Sequence, residues 1–240
     1  MNEKILITGG AGFIGTNLAL SLCNKYDVYS LDNLFKQESN NNLSLLENNK
    51  VNFINGDIRD KSLIKKLMSE HNFNSIFHLA AQVAMSKSIL DPELDFDINV
   101  NGTLNILNAI VNENSNPNLK FINVSTNKVY GDLSWDKLSE SDKRFNSVNF
   151  ENGYNENTQL KFSSPYGCSK GSAEQYVLDY SDTYGINTIS IRLSSILRKF
   201  VSISTNITIT NLMNTTTSFG TFITSHPRSI RFILIIWTCF

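Results

Sequence analysis

"ITGGAGFIG", Ile7 to Gly15, is the stretch that decides the fold of this 240-residue chain. It follows "KILIT" at Lys4 to Thr8, an apolar run that reads as a β-strand. It opens "GFIGTNLALSLCNKY", which reads as a helix with Leu18, Ala19 and Leu22 on one face. Gly9, Gly12 and Gly15 are spaced three apart in this strand–turn–helix frame. Gly9 suits the tight turn, Gly12 lets a pyrophosphate approach the backbone, and Gly15 allows close packing of helix on strand. Free N–H groups and the helix dipole favour an anion there, so Phe13 and Ile14 join the expected cofactor contacts. A glycine trio alone also fits a nucleotide-free turn. The flanking elements are what make it a dinucleotide signal.

Further strands alternate with helix-like segments. They are "DVYSLD" ending at Asp32, "VNFINGD" at Val51 to Asp57, "SIFHLAA" at Ser75 to Ala81, "KFINVST" at Lys120 to Thr126 and "NTISIRL" at Asn187 to Leu193. A helix is expected from about Pro92 to Asn114, with Asp91 as N-cap and proline at its first position. Apolar strands separated by helices indicate an α/β, doubly wound parallel sheet of the Rossmann kind. In such sheets ligands bind beyond the carboxyl ends of the strands. Asp32 therefore stands where an adenosine ribose would be held, and its charge, with neutral Asn33 beside it, favours NAD over NADP. Asp57 and Ile58, and Leu79, Ala80 and Ala81, are further cofactor candidates at strand ends. Asp57 also fits a turn-capping role. His78 fits a packed core histidine better than a reactive one.

Composition narrows the class. A net charge of -1 offers no field for nucleic acid or an anionic membrane. The apolar run "FILIIW" at Phe232 to Trp237 is far shorter than the roughly 20 residues that span a bilayer. The N-terminus lacks the long apolar core of a signal peptide. Cys23, Cys168 and Cys239 show neither metal-ligand nor CxxC spacing, so no metal is expected and a reduced cytoplasmic compartment is.

Two other stretches carry chemistry. "SSPYGCSKGSAEQY", Ser163 to Tyr176, places Tyr166 four residues before Lys170, neighbours on a helix face. "VSTNKVYGD" puts Ser125 and Thr126 at the end of the fifth strand. A charged Lys170 is expected to lower the Tyr166 pKa, so that the phenol removes a hydroxyl proton as hydride leaves the same carbon. Thr126 is placed to hydrogen-bond that hydroxyl. An exposed tyrosine–lysine pair with no chemistry is the bland alternative. The glycine fingerprint and Thr126 argue against it.

In this order the motifs resemble the extended short-chain dehydrogenase/reductase family of NAD-dependent nucleotide-sugar epimerases and dehydratases, over about Met1 to Ile196. The resemblance implies that Thr126, Tyr166 and Lys170 are catalytic and that a nucleotide sugar is the substrate, with a homo-oligomer suggested. Dehydratases of the family carry Asp-Glu after that threonine, where this chain has Asn127 and Lys128. Water elimination is therefore not expected. "HLAAQVAMSKSI", "STNKVYGDL", "NGYNENTQLKFSSPYGCSKG" and "DNLF" are similar to the subgroup that epimerises a CDP-linked sugar at C2. The implied cycle is oxidation to the 2-keto sugar, rotation, and return of hydride to the other face. Gln82, Met85, Ser125, Asn127 and Lys128 are the substrate-binding candidates.

The chain from Leu197 on breaks the pattern. Its last acid is Asp182, and "LRKFVSISTNITITNLMNTTTSFG" shows neither helical period nor strand–turn–helix order. Two domains are expected: 1–196, a cofactor domain with the reactive residues, and 197–240, an aberrant tail replacing the family's substrate lobe. Low activity of the chain by itself is expected. Two other readings stay open: an epimerase or reductase on another nucleoside-diphosphate sugar, and a non-catalytic NAD-binding module.

Overall fold

The computed structural model describes residues 2–134, 136–141, 145–150, 153–193 and 229–234. The main sheet contains β1 (Lys4–Thr8), β2 (Asp27–Asp32), β3 (Asn52–Asn55), β4 (Ser75–His78) and β5 (Lys120–Thr126). A separate antiparallel hairpin, β6 (Leu138–Glu140) and β7 (Phe145–Ser147), lies in the long segment that precedes Tyr166. The main sheet resumes with β8 (Asn187–Leu193) and β9 (Ser229–Leu234). Its seven strands run in the order β3-β2-β1-β4-β5-β8-β9, every pair parallel. The order reverses between β1 and β4. The two chains leaving that switch point diverge to opposite faces and open a crevice at the carboxyl edge.

Both faces are covered, which is why the strands read as apolar throughout. Alternate residues of β1 point to opposite layers. Leu6 packs with Leu31, Ile76 and Phe121 in one buried cluster, and Ile5 and Ile7 pack with Val28, Phe77 and Ile122 in the other. Helix α1 (Phe13–Leu22) lies over the second cluster through Leu18, Ala19 and Leu22. Two short helices follow β2, α2 (Gln37–Asn40) and α3 (Leu43–Asn48). Helix α4 (Lys61–Glu70) sends Ile64, Leu67 and Met68 into the first cluster.

The expected helix from Pro92 is there, but it is not uniform. After α5 (Met85–Leu90) come α6 (Pro92–Phe96), a π-helical turn (Asp97–Asn101) and α7 (Gly102–Glu113). Asp91 caps α6 as expected, accepting from the Leu94 N–H at 3.0 Å. At the π turn the Thr103 hydroxyl donates to the Asn99 carbonyl at 2.7 Å, so a side chain takes a bond of the regular ladder. Helix α8 (Ser164–Tyr184) carries Tyr166 and Lys170, with proline in its first turn.

Two strands end earlier than expected. β3 stops at Asn55 and β4 at His78, so Asp57 and Leu79 to Ala81 leave the sheet at the crevice. The boundary expected at Ile196 and Leu197 lies outside the described residues, as does the sequence up to 228. Ser229–Leu234 pair with Thr188–Leu193 as an edge strand that the sequence pattern does not announce.

Candidate active site

A cavity of about 590 Å³ opens at the crevice. Its lining brings together every residue expected from sequence. The cofactor candidates Gly9, Gly12, Phe13, Ile14, Gly15, Asp32, Asn33, Asp57, Ile58, Leu79, Ala80 and Ala81 line it with Gln82, Met85, Ser125, Thr126, Asn127, Lys128, Tyr166 and Lys170.

One wall is a cradle of backbone. Gly9 has φ 68°, in the left-handed region, and a Cβ there would meet the Ala80 nitrogen at 2.7 Å. A Cβ on Gly15 would collide with the Gly9 carbonyl, so the close approach is of helix to turn rather than of helix to strand. No side chain caps α1 at Gly12, which leaves first-turn N–H groups for a ligand. The cradle thus fits a pyrophosphate. Asp32 ends β2, where its Oδ2 accepts from Ala11 N–H at 3.1 Å and its Oδ1 from Leu34 N–H at 2.9 Å. These bonds hold the carboxylate at the rim with acceptor capacity left over. Asn33 donates to Asp57 at 2.8 Å. Asp57 both caps its own turn, through the Arg59 N–H at 2.9 Å, and pairs with the Arg59 guanidinium at 2.8 Å. The guanidinium holds its carboxyl at about 2.

The facing wall holds the reactive groups. Thr126 at the end of β5 is buried, and its hydroxyl accepts from the Lys128 N–H at 3.2 Å. The Tyr166 backbone N–H is anchored by the Ser88 hydroxyl of α5 at 3.1 Å. Ser125 Oγ is buried with no hydrogen-bond partner among the described residues. Lys170 is buried too, lines the cavity, and makes no ion pair among the described residues. Asn127 and Lys128 are exposed at the mouth.

One expectation is corrected here. Lys170 does not lower the Tyr166 pKa. Burial pushes the phenol above its ordinary value of 10, opposed only by the Thr126 hydroxyl, and the Asp95 charge adds to the rise. Burial brings Lys170 down to about 8. As pH rises the ammonium therefore loses its proton before the phenol does, and its charge is gone when Tyr166 titrates. At neutral pH the wall holds a charged Lys170 and a protonated Tyr166.

Gln82 is also used differently. It lines the cavity, but its amide turns inward: Nε2 donates to the Ala84 carbonyl at 2.9 Å and to Asp95 at 3.0 Å, and Oε1 accepts from Ala84 N–H at 2.7 Å. That leaves it a structural part of the wall. Asp95, fully buried, also accepts from the Ser169 hydroxyl at 2.5 Å. His78 is the packed histidine expected, and it bridges β1 and α7. Thr8 Oγ1 accepts from Ala80 N–H at 3.2 Å and donates to His78 Nδ1 at 2.8 Å, since the neutral ring carries its proton on Nε2. Thr103 donates to Asn99, so its oxygen accepts from His78 Nε2–H at 2.9 Å. The ring is neutral, its pKa lowered by burial to about 3. On the far side of α8, buried Arg192 binds Glu174 at 2.6 and 2.9 Å and donates to the Tyr130 hydroxyl at 2.7 Å.

Ser88, Asp95 and Arg192 went unread in the sequence. Ser88 and Arg192 carry no local signal. Asp95 does: Asp95, Asn99 and Thr103 recur every fourth residue as a polar stripe on a helix that should turn an apolar face to the sheet.

The comparisons agree with this geometry. The family model described as GDP-mannose 4,6 dehydratase matches residues 6–211. The chain belongs to that family, among the extended short-chain dehydrogenase/reductases. It is 50% identical over 194 residues to CDP-paratose 2-epimerase of Salmonella typhi, covering 80% of this chain and 57% of that protein. It is 36% identical over 196 residues to a putative UDP-glucose 4-epimerase of Methanocaldococcus jannaschii, covering 80% and 55%. Among solved structures, UDP-glucose 4-epimerase of Thermus thermophilus in complex with NAD matches with TM-score 0.62 and 30% identity, covering 79% and 54%. The chain spans a little over half the length of these relatives.

Proposed function

We propose that this domain belongs to an NAD-dependent nucleotide-sugar epimerase that inverts C2 of a CDP-linked sugar, of the CDP-paratose 2-epimerase type. The observation that carries the reading is the convergence of the glycine cradle with Thr126, Tyr166 and Lys170 on one cavity. The identity to CDP-paratose 2-epimerase supports the choice of sugar.

The cradle and Asp32 would hold the dinucleotide. Bound there, the dinucleotide would accept a hydride from the sugar in its oxidised form and return it in its reduced form. Lys170, buried and without an ion pair among the described residues, has three N–H donors for hydroxyl groups of the ligand. Tyr166, protonated in the ligand-free protein, would act as base only as its phenolate, after releasing its own proton to solvent. With Thr126 orienting the sugar hydroxyl, the phenolate would take that hydroxyl's proton on oxidation and give it back on reduction. The buried wall excludes water, which protects the keto sugar between the two hydride steps. Asn127 and Lys128 stand where an acid pair would be needed to expel water, so the wall supports epimerisation rather than dehydration.

The test uses the purified chain with NAD and CDP-paratose deuterated at C2. Retention of the label at C2 of the product is expected, because the same hydride equivalent leaves and returns. Loss of the label to solvent contradicts the mechanism. Turnover of UDP- or dTDP-sugars but not CDP-sugars contradicts the substrate and favours a related epimerase. A non-catalytic module is disfavoured by the presence of Tyr166 and Lys170 together in the cavity.

A further inference from the structure

Asp95 is a fully buried carboxylate held by neutral donors from three places. Gln82 of the loop after β4 reaches Oδ1 at 3.0 Å, Asn99 of the π turn reaches Oδ1 at 3.3 Å, and Ser169 of α8 reaches Oδ2 at 2.5 Å. No ion pair to Asp95 forms within 4.0 Å among the described residues. A buried charge held only by neutral donors is costly, so a cation near it must offset that cost. The buried cation that feels it is Lys170, one residue beyond Ser169.

The groups around Lys170 are few. Tyr166 and Glu174 share its helix, Asp95 comes from α6, His78 from β4 and Arg192 from β8. His78 is neutral. Glu174 acts on Lys170 more strongly than Asp95 does, and it is itself held by Arg192 through two nitrogens. Of the two acids, Asp95 is the one with no ion pair within 4.0 Å among the described residues.

We propose that Asp95 is a positioning residue for the Tyr166–Lys170 pair: through Ser169 its carboxylate fixes the helical turn that carries both, and it stands as a counter-charge to the Lys170 ammonium. The inference rests on the reading of Tyr166 and Lys170 as the reactive pair, but it can fail independently. It explains why an acid stands on the apolar side of a helix, and why the Gln82 amide turns inward.

The test titrates Lys170 directly, without sugar or cofactor, by the 13Cε shift of labelled lysine in the full chain. Lys170→Met assigns the signal. In the wild type the midpoint should lie above neutrality, and a midpoint below 7 overturns the proposal with no variant needed. Asp95→Asn keeps the size and should lower the midpoint by about one unit or more. An unmoved midpoint in the folded variant overturns the proposal. Ser169→Ala removes the hydrogen bond and keeps the charge, so it should lower the melting temperature and leave the midpoint in place. A fall as large as that expected for Asp95→Asn would mean geometry, not charge, sets Lys170. If Asp95→Asn does not fold, Asp95→Ser, which also removes the charge and keeps a hydrogen-bonding side chain, takes its place with the same expected fall and the same overturning result. A failed C2-label test with a shifted Lys170 midpoint would sink the function and leave this inference standing.

Discussion

The two walls of the cavity are built from opposite materials. The cradle at β1 and α1 is backbone: a left-handed Gly9, a close-packed Gly15 and an uncapped helix start. The facing wall is side chain: Ser125, Thr126 and Lys170, all buried, with buried Asp95 and Ser169 outside the lining. Backbone recognises an anion at little cost to the fold, because the N–H groups would be unpaired at a helix start in any case. Buried side-chain charge is costly, and the hydrogen bonds of this wall go to containing it. The first wall suits binding, the second proton chemistry.

His78 bridges β1 and α7 inside the core, so acid gives the largest effect. Its pKa is about 3 in the fold against 6.5 unfolded. The unfolded chain therefore binds more protons below pH 6.5, and stability falls as pH drops from 6.5 toward 3. At about 1.36 kcal/mol per unit this amounts to about 5 kcal/mol by pH 3. Denaturant unfolding of wild type and His78→Gln across that range checks it: the wild type should show the steeper loss. Next is the cradle. Gly9→Val places a branched side chain at φ 68° against the Ala80 backbone, and should cost about 3 kcal/mol or more and abolish NAD binding by calorimetry.

The wall responds to alkali instead. Lys170 titrates at about 8 in the fold and 10.5 unfolded, a depressed value, so wild-type stability should rise relative to Lys170→Met as pH goes from 8 to 10.5. The gain is about 3 kcal/mol over that window, whatever the offset between the two proteins at pH 7. The smallest effect belongs to Ser164, at φ 66° two residues before Tyr166. Ser164→Gly relieves that conformation and should raise stability by up to about 1 kcal/mol in thermal unfolding.

The same contrast explains what could be read without coordinates. The cradle is local: Gly9, Gly12 and Gly15 lie in one strand–turn–helix, and Asp32 ends the next strand. Tyr166 and Lys170 were legible because a helix makes residues four apart neighbours. The containment around them is not local. Ser169 meets Asp95 across 74 positions, and Ser88 meets Tyr166 across 78. The direction of the Tyr166 shift was misread for that reason, since burial and not the neighbouring charge sets it. The π turn was hidden because Thr103, which bonds the Asn99 carbonyl there, also meets the His78 ring from 25 positions away. The polar stripe from Asp95 to Thr103 was the one visible trace of this network.

The division of labour between the walls is most directly tested by Tyr166→Phe, assayed twice on the same preparation. Calorimetry measures NAD affinity, and single-turnover absorbance measures reduction of bound NAD by CDP-sugar. If the cradle binds and the facing wall reacts, affinity stays near wild type while reduction slows about 10²- to 10⁴-fold. Reduction at the wild-type rate, or affinity that collapses together with the rate, would contradict it.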